Sequence, residues 1–422
     1  MAESGKPVSA SAGGRWHQHP ILFRQALLDD VLPFWFPRCV DEVHGGFLTG
    51  FDRDGTLVDS DKSVWAQGRM AWLLLTLYHR IEARAEWKAW AERGLDFLNR
   101  HCLDSDGRLF FHMTQEGEPI RKRRYAYSEA FASIASAAHY AATQEGESAD
   151  RALQWFRRFT QWHFTPGLMP SKFLGTRPVE GLGPYMIAIV TGQELRRYLG
   201  NQDEVQGWID RCIETIASRF VKEDERVVME TVGESGQILD HFDGRLLNPG
   251  HAIEAAWFIM EEGQFQRDDD LIKLGIRMVD WMWERGWDKE WGGLFYYRDV
   301  WGKPIQEYWH EMKFWWPHNE AMIATLMAAR LDSDSSRWLG RFHAVCDWSF
   351  EHFGDPDYGE WFGYLRRDGT VSSPLKGGLW KSCFHLPRAL LRCWELLADD
   401  PGQGPGKPGD GSARVVIPVT LS

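Results

Sequence analysis

The 422-residue chain lacks the marks of several protein classes. Its six cysteines stand singly at 39, 102, 212, 346, 383 and 393, with neither zinc-knuckle spacing nor the density of a small disulfide scaffold. No apolar run reaches the ~20 residues of a membrane span, and Met1 to Gly14 lack the apolar core of a signal peptide. A reducing, cytoplasmic setting without membrane contact is expected. Basic stretches are short as well: the longest is Arg121-Lys122-Arg123-Arg124, in a chain of formal net charge −12. Phosphate-backbone binding needs a basic face, so no nucleic-acid partner is expected.

Ligand spacings for zinc, such as a helical His-Glu-x-x-His, are absent, and no metal is implied. Gly377-Gly378-Leu379-Trp380-Lys381-Ser382 has tryptophan where a phosphate loop requires glycine before Lys-Ser. Cys383 lies beside His385, but no orienting third group marks it as a nucleophile.

Tryptophan is abundant, with 23 copies. Most are expected in a core of interlocking helices, and the remainder along a cleft whose ligand presents C–H faces, as a sugar ring does.

A glycine-aromatic phrase recurs at Gly45-Gly46-Phe47-Leu48, Asp106-Gly107-Arg108-Leu109-Phe110-Phe111, Gly292-Gly293-Leu294-Phe295-Tyr296 and Gly359-Glu360-Trp361-Phe362-Gly363-Tyr364. Weaker forms at Gly167-Leu168-Met169-Pro170 and Val227-Val228-Met229-Glu230 complete six units of about 60 residues. Between the phrases the apolar pattern is helical, nearly all round in one helix of each pair and one-sided in the other, as over Ala85 to Arg100 and Arg267 to Arg285. Six such pairs predict an all-α (α/α)6 barrel over 16–398, with the glycine phrases as short hairpins on one rim. Residues 1–15 and the Pro/Gly-rich 399–422 are expected to be flexible ends.

Inner helices should begin near 64, 125, 184, 249, 317 and 386, sharing one mouth, with Pro184, Pro249, Pro317 and Pro387 at first helical positions. Asn248 is the expected N-cap before Pro249, placing His251 in a first turn whose dipole favours neutral imidazole, the form a base needs. Capping or core satisfaction is the competing reading. Glu254 follows one turn later on the same face. Pro317 should push Trp316 out of helical geometry and toward the mouth, leaving Glu320 to bind sugar hydroxyls or a neighbouring histidine. His385 is followed one turn on by Arg388, suited to stabilising a developing enediolate. Arg69, inside an apolar inner helix, is a second such cation; either arginine can instead be a structural partner of Glu129 or Glu254.

Three segments, Asn-Pro-Gly-His-Ala-Ile-Glu-Ala at 248–255, Lys-Phe-Trp-Trp-Pro-His-Asn-Glu-Ala-Met-Ile-Ala at 313–324 and Lys-Ser-Cys-Phe-His-Leu-Pro-Arg at 381–388, resemble the N-acylglucosamine 2-epimerase family. With Trp-Ala-Gln-Gly-Arg at 65–69, the resemblance spans about 20–397. It implies an (α/α)6 barrel that interconverts N-acetylglucosamine and N-acetylmannosamine by ring opening, deprotonation at C2 and reprotonation on the opposite face. His251 and His385 become the base and acid pair, with Arg69 and Glu320 as further active-site groups and Glu254 supporting His251 or ring opening. Trp316, His318, Arg388, Tyr127 and Trp380 are the expected sugar contacts. The resemblance implies no cofactor for the chemistry, ATP as an activator that is not turned over, and a homodimer.

Relatives acting on unmodified sugars usually lack the histidine matching His318, which favours the N-acyl branch. Tyr185 stands where members more often carry proline. The open alternatives are a cellobiose or glucose/mannose epimerase or isomerase, an (α/α)6 glycoside hydrolase using paired carboxylates, and a non-catalytic binder.

Overall fold

A computed structural model describes residues 20–170 and 175–398. The expected flexible ends, 1–15 and 399–422, lie outside the described residues. Helix α1 (Pro20–Gln25) runs through a π-helical segment, Ala26–Val31, into α2 (Leu32–Trp35). Five helical pairs follow: α3 (Val64–Arg80) with α4 (Ala85–His101), α5 (Tyr127–Thr143) with α6 (Gly146–Phe164), α7 (Gly183–Leu199) with α8 (Asp203–Thr215), α9 (Pro249–Gln266) with α10 (Asp269–Gly286), and α11 (Trp315–Leu331) with α12 (Ser335–Phe353). Last comes α13 (His385–Ala398), packed against α1 and completing the sixth pair.

The odd-numbered helices from α3 to α13 form the inner ring, each packed on the next. Closure between α13 and α3 comes from Trp72 against Phe384, ring centroids 5.5 Å apart, and from an Arg80–Glu395 ion pair at 2.6 Å. This is the (α/α)6 barrel that the six-fold repeat predicts. Inner helices are buried nearly all round, as Trp315 to Ala329 of α11 shows, whereas α4 buries only the stripe through Trp87, Ala91, Leu95 and Leu98.

Four glycine phrases form tight bridged turns behind the outer helices: Val40 pairs with Phe47, Leu103 with Leu109, Trp287 with Leu294 and Gly354 with Trp361. The weaker phrase at Val227-Val228 does the same, pairing with Val221–Lys222. At Gly45-Gly46 and Gly292-Gly293 two consecutive residues hold φ between 70° and 77°, a backbone that side chains disfavour.

A buried lysine closes three of these turns. Lys62 Nζ reaches Asp41 Oδ2 at 2.9 Å and the Gly45 carbonyl at 2.7 Å. Lys313 Nζ lies 3.1 Å from Asp288 Oδ2, and Lys376 Nζ reaches Asp355 at 3.0 Å and the Gly359 carbonyl at 2.9 Å. Lys62 and Lys313 sit in short strands that lead into α3 and α11, and those strands pair with the next unit: Lys62–Ser63 with His112–Met113, Lys313–Phe314 with Tyr364–Leu365. Leu246–Leu247 pairs with Arg298–Asp299 ahead of α9, and Glu180–Gly181 with Thr231–Val232 ahead of α7. The starts of α3, α7, α9 and α11 are thereby stitched to one rim.

Proline placement differs in part from expectation. Pro249 is the first residue of α9 and Pro184 the second of α7, but Pro317 and Pro387 are third in their helices. Trp316 is therefore helical, contrary to the prediction that Pro317 expels it. Third-position proline is tolerated because the first turn's N–H groups have no intrahelical partner to lose.

Burial alone would raise the Asp41 carboxyl, but the His44 N–H, Lys62 and Gln115 outweigh it and hold it at about 2. We expect Lys62→Met to lower unfolding free energy by about 3–5 kcal/mol at neutral pH, by leaving Asp41 buried and unpaired. The stability that Asp41 contributes is complete above the ordinary carboxylate range and is lost as pH falls through about 2. Denaturant titrations should therefore show the gap between variant and wild type narrowing in acid.

Candidate active site

The inner-helix starts enclose a cavity of about 1010 Å³ that runs down the barrel axis. Of the 23 tryptophans, Trp65, Trp72, Trp162, Trp257, Trp309, Trp315, Trp316 and Trp380 line it. His251, Glu254, Arg69, Tyr127, Trp316, Trp380, His385 and Arg388 all reach this cavity.

His251 is placed by its helix cap. The Asn248 side chain accepts the His251 N–H at 3.1 Å, fixing the first turn of α9 as the Asn-Pro pair predicts. The ring Nδ1 lies 3.0 Å and 3.1 Å from the two Glu230 oxygens, so Nδ1 directs its N–H at Glu230 and proton exchange falls to Nε2. Glu254, expected to support His251, faces Arg388 instead.

Sequence reasoning missed Glu230. It lies in the weakest glycine phrase, and only backbone pairing brings it here. Its N–H donates to Leu246 O and its carbonyl accepts from Leu182 N, both at 3.0 Å, tying it between the approaches to α9 and α7.

His385 opens α13, and its Nδ1 lies 2.8 Å from Glu320 Oε1. Trp257 Nε1 donates to the other Glu320 oxygen at 2.9 Å. Glu320 is buried behind His385 rather than on the cavity wall, so of its two expected roles it takes the histidine-binding one. Arg388 Nη2 reaches Glu254 Oε1 and Glu320 Oε1, each at 2.6 Å. Burial works against the Arg388 charge, yet Glu320 and Glu254 together hold its proton more tightly than usual. Burial, then Arg388 and Arg69, keep His385 well below the ordinary imidazole range, so it is a neutral base at neutral pH.

Glu254, Glu320 and His385 bring ligand atoms within 4.8 Å of one another, a spacing a metal could use. The Arg388 guanidinium already stands between the two carboxylates as their cation.

Arg69 has no carboxylate partner among the described residues, and its Nε is buried without an acceptor. It stacks on Phe131 at 4.1 Å and Phe384 at 4.7 Å. Burial, then Arg388, bring its pKa down to about 9, with Glu254 and Glu320 opposing, so it stays a cation at neutral pH. Of the two arginines, Arg388 is the one bound to Glu254, and Arg69 is left with its charge facing the cavity. The two imidazoles share one neighbour: the Trp316 ring centroid is 4.9 Å from His251 and 5.8 Å from His385.

His318 does not join them. It is fully buried outside the cavity wall, its Nδ1 donating to Phe314 O at 2.7 Å while Nε2 accepts the Leu294 N–H at 2.8 Å. Burial brings its pKa down to about 3, and the neutral ring, stacked on Trp348, braces the turn at Gly293. The expectation that His318 touches substrate is corrected, because both ring nitrogens are spent on backbone. Tyr185, the departure noted on α7, lines the cavity and bonds Glu180.

The profile of the family described as N-acylglucosamine 2-epimerase (GlcNAc 2-epimerase) matches residues 45–389. The N-acylglucosamine 2-epimerase of Mus musculus is 36% identical over 386 residues, covering 88% of this chain and 90% of the relative. A cellobiose 2-epimerase of Bacteroides fragilis is more distant, 24% identical over 399 residues, covering 89% and 98%. Among solved structures, a D-mannose isomerase superposes with a TM-score of 0.79 at 17% identity, covering 90% of this chain and 98% of that one, which shows the shared barrel. Motifs, barrel and paired imidazoles agree with these matches: the chain belongs to the N-acylglucosamine 2-epimerase family and is an isomerase.

Proposed function

We propose that the protein interconverts N-acetylglucosamine and N-acetylmannosamine by proton transfer on both faces of C2. The observation that carries this reading is the pair of imidazoles flanking Trp316, each with Nδ1 on a carboxylate, so that Nε2 is the nitrogen that takes or gives a proton. In the ring-opened aldehyde, one histidine takes the C2 proton, and negative charge moves to O1. Arg69, a cation without a carboxylate partner among the described residues, is the group placed to stabilise that charge. The second histidine starts as the imidazolium and gives its Nε2 proton to the opposite face; the proton left on the first histidine then exchanges with solvent, so atoms and charge balance over the cycle. A hydrolase reading would recruit Glu254 and Glu320, but both oxygens facing Arg388 are held in its ion pairs.

The mouse relative's name supports N-acyl sugars over unmodified ones. His318 no longer bears on that choice by contact. ATP enters the proposal as an activator only. Lys381 Nζ is buried against Glu360 Oε1 at 2.7 Å and the Lys376 carbonyl, so the Gly377–Ser382 segment offers no lysine to a phosphate. No described helix is long and apolar enough to cross a membrane, and the six cysteines are free and buried. A cytoplasmic homodimer completes the proposal, its assembly resting on the family resemblance and tested by sedimentation.

In deuterated water, each turnover should place deuterium at C2 of the product, and His251→Asn and His385→Asn should each lower kcat by about 10²–10⁴-fold. Epimerisation with hydrogen retained, or full activity in both variants, contradicts the mechanism. A panel of N-acetylated and unmodified sugars, with and without ATP, should show turnover concentrated on the N-acetyl pair and a rate that rises with nucleotide left unconsumed.

Arg388→Gln should also shift the pH profile. It removes a cation that keeps His385 neutral and frees two carboxylates beside it, so the imidazole will hold its proton to higher pH. The acidic limb of kcat/KM therefore moves upward in pH; an unmoved limb would show that Arg388 does not set the His385 proton.

A further inference from the structure

The proposed chemistry uses one end of a cavity that is larger than a single hexosamine requires. Its volume of about 1010 Å³ lies at the top of the roughly 300–1,000 Å³ range of pockets for drug-sized ligands. Away from the histidines, at the lip, the wall includes Arg123 and Arg124 of the basic stretch at 121–124, with Arg121 and Lys122 beside them. Lys122 is spent there on Asp104 and, at 2.8 Å, Asp106. Arg123 is not spent: among the described residues it has no carboxylate partner, and its Nε is buried without an acceptor.

Arg123 is nonetheless held in place. Its guanidinium lies 4.8 Å from the Trp380 ring, 4.9 Å from Phe111 and 5.2 Å from Tyr125. Arg108 Nη2 donates to the Arg123 carbonyl at 3.0 Å and the Tyr125 carbonyl at 3.1 Å, fixing the backbone that carries it. Stacking orients a guanidinium without using its N–H groups, so the donor fork is pre-set at little entropic cost when an anion arrives. Arg121, exposed on the preceding strand, adds a second positive charge 5.6 Å from the Phe111 ring.

The lip connects directly to the reacting end. Trp380 is 5.8 Å from Trp65, Arg69 lies over Trp65 at 5.3 Å, and Arg69 also lies over Phe384, next to His385. We propose that Arg123, with Arg121 behind it, forms a subsite for an anionic substituent of the sugar, a phosphate ester or carboxylate remote from C2. A caged arginine without a carboxylate partner among the described residues, at the mouth of an acidic protein's cavity, matches such a group and has no counterpart on a neutral hexosamine. Planar guanidinium donors suit the oxygens of phosphate and carboxylate alike. The inference rests on the sugar reading only in taking the anion's carrier to be a sugar.

Calorimetry and turnover test it separately. The probes are N-acetylglucosamine, N-acetylglucosamine 6-phosphate, inorganic phosphate and ATP, titrated into wild type, Arg123→Gln and Arg121→Gln, with melting temperatures recorded for each. We expect the phosphate ester to bind wild type about tenfold more tightly than the neutral sugar at low salt, with the advantage falling as salt rises. Arg123→Gln should erase that ratio and Arg121→Gln reduce it, whether or not either sugar is turned over. Equal affinity for both sugars, or a ratio unchanged in a folded Arg123→Gln, overturns the subsite. Displacement of the ester by ATP or inorganic phosphate at equal concentration assigns the arginines to a free phosphate and overturns the substrate assignment. Tighter ester binding without epimerisation of any sugar would retain the subsite and refute the proposed reaction.

Discussion

The two buried carboxylates beside His385 are tolerable only because one guanidinium lies between them. Arg388 Nη2 reaches Glu254 and Glu320 at equal distances, and Glu320 passes the arrangement on to His385. Unpaired, either carboxylate would carry a desolvation penalty of several kcal/mol. Paired, Glu320 orients the imidazole while the arginine's charge, with burial, keeps it deprotonated. The same cation thus stabilises the inner ring, where α9, α11 and α13 meet, and sets the protonation state that catalysis needs.

The two histidines are held by the same device in different surroundings. His385 has a side chain 12% exposed and its carboxylate is fully buried, with two arginines nearby. His251 is 31% exposed, and its partner Glu230 also touches the cavity. One imidazole is therefore governed by a closed charge network and the other by a carboxylate at the open mouth. That asymmetry suits a pair in which one member starts as base and the other as acid. The rim makes the pairing possible: short strands, two of them carrying buried lysines, lock the starts of α3, α7, α9 and α11 to the next unit, so residues far apart in sequence converge on one substrate carbon.

Much of this was legible in the sequence because it rests on local rules. The six-fold repeat gave the barrel, and the inner helices begin at Val64, Tyr127, Gly183, Pro249, Trp315 and His385, within two residues of expectation. Asn248-Pro249 encodes a capped first turn, and that turn aims His251. What stayed hidden depends on long-range pairing. Glu230 is an ordinary residue in a degenerate phrase until strand hydrogen bonds set it beside α9. His318 shares a helix with Glu320 but, two positions away, projects toward Trp348 and the turn at Gly293. Trp316 reaches the mouth from inside the helix, since a helical residue at that position already faces the axis.

The central claim is that His385 rests neutral, with its proton on Nδ1 toward Glu320, because Arg388 and burial forbid the cation. Nitrogen-resolved NMR titration of the histidines, with His385→Asn used for assignment, measures this directly. The account predicts that His385 holds one neutral tautomer, protonated at Nδ1, throughout the pH range where an unperturbed imidazole titrates. A His385 that gains a proton near pH 6.5, or carries its neutral proton on Nε2, contradicts it.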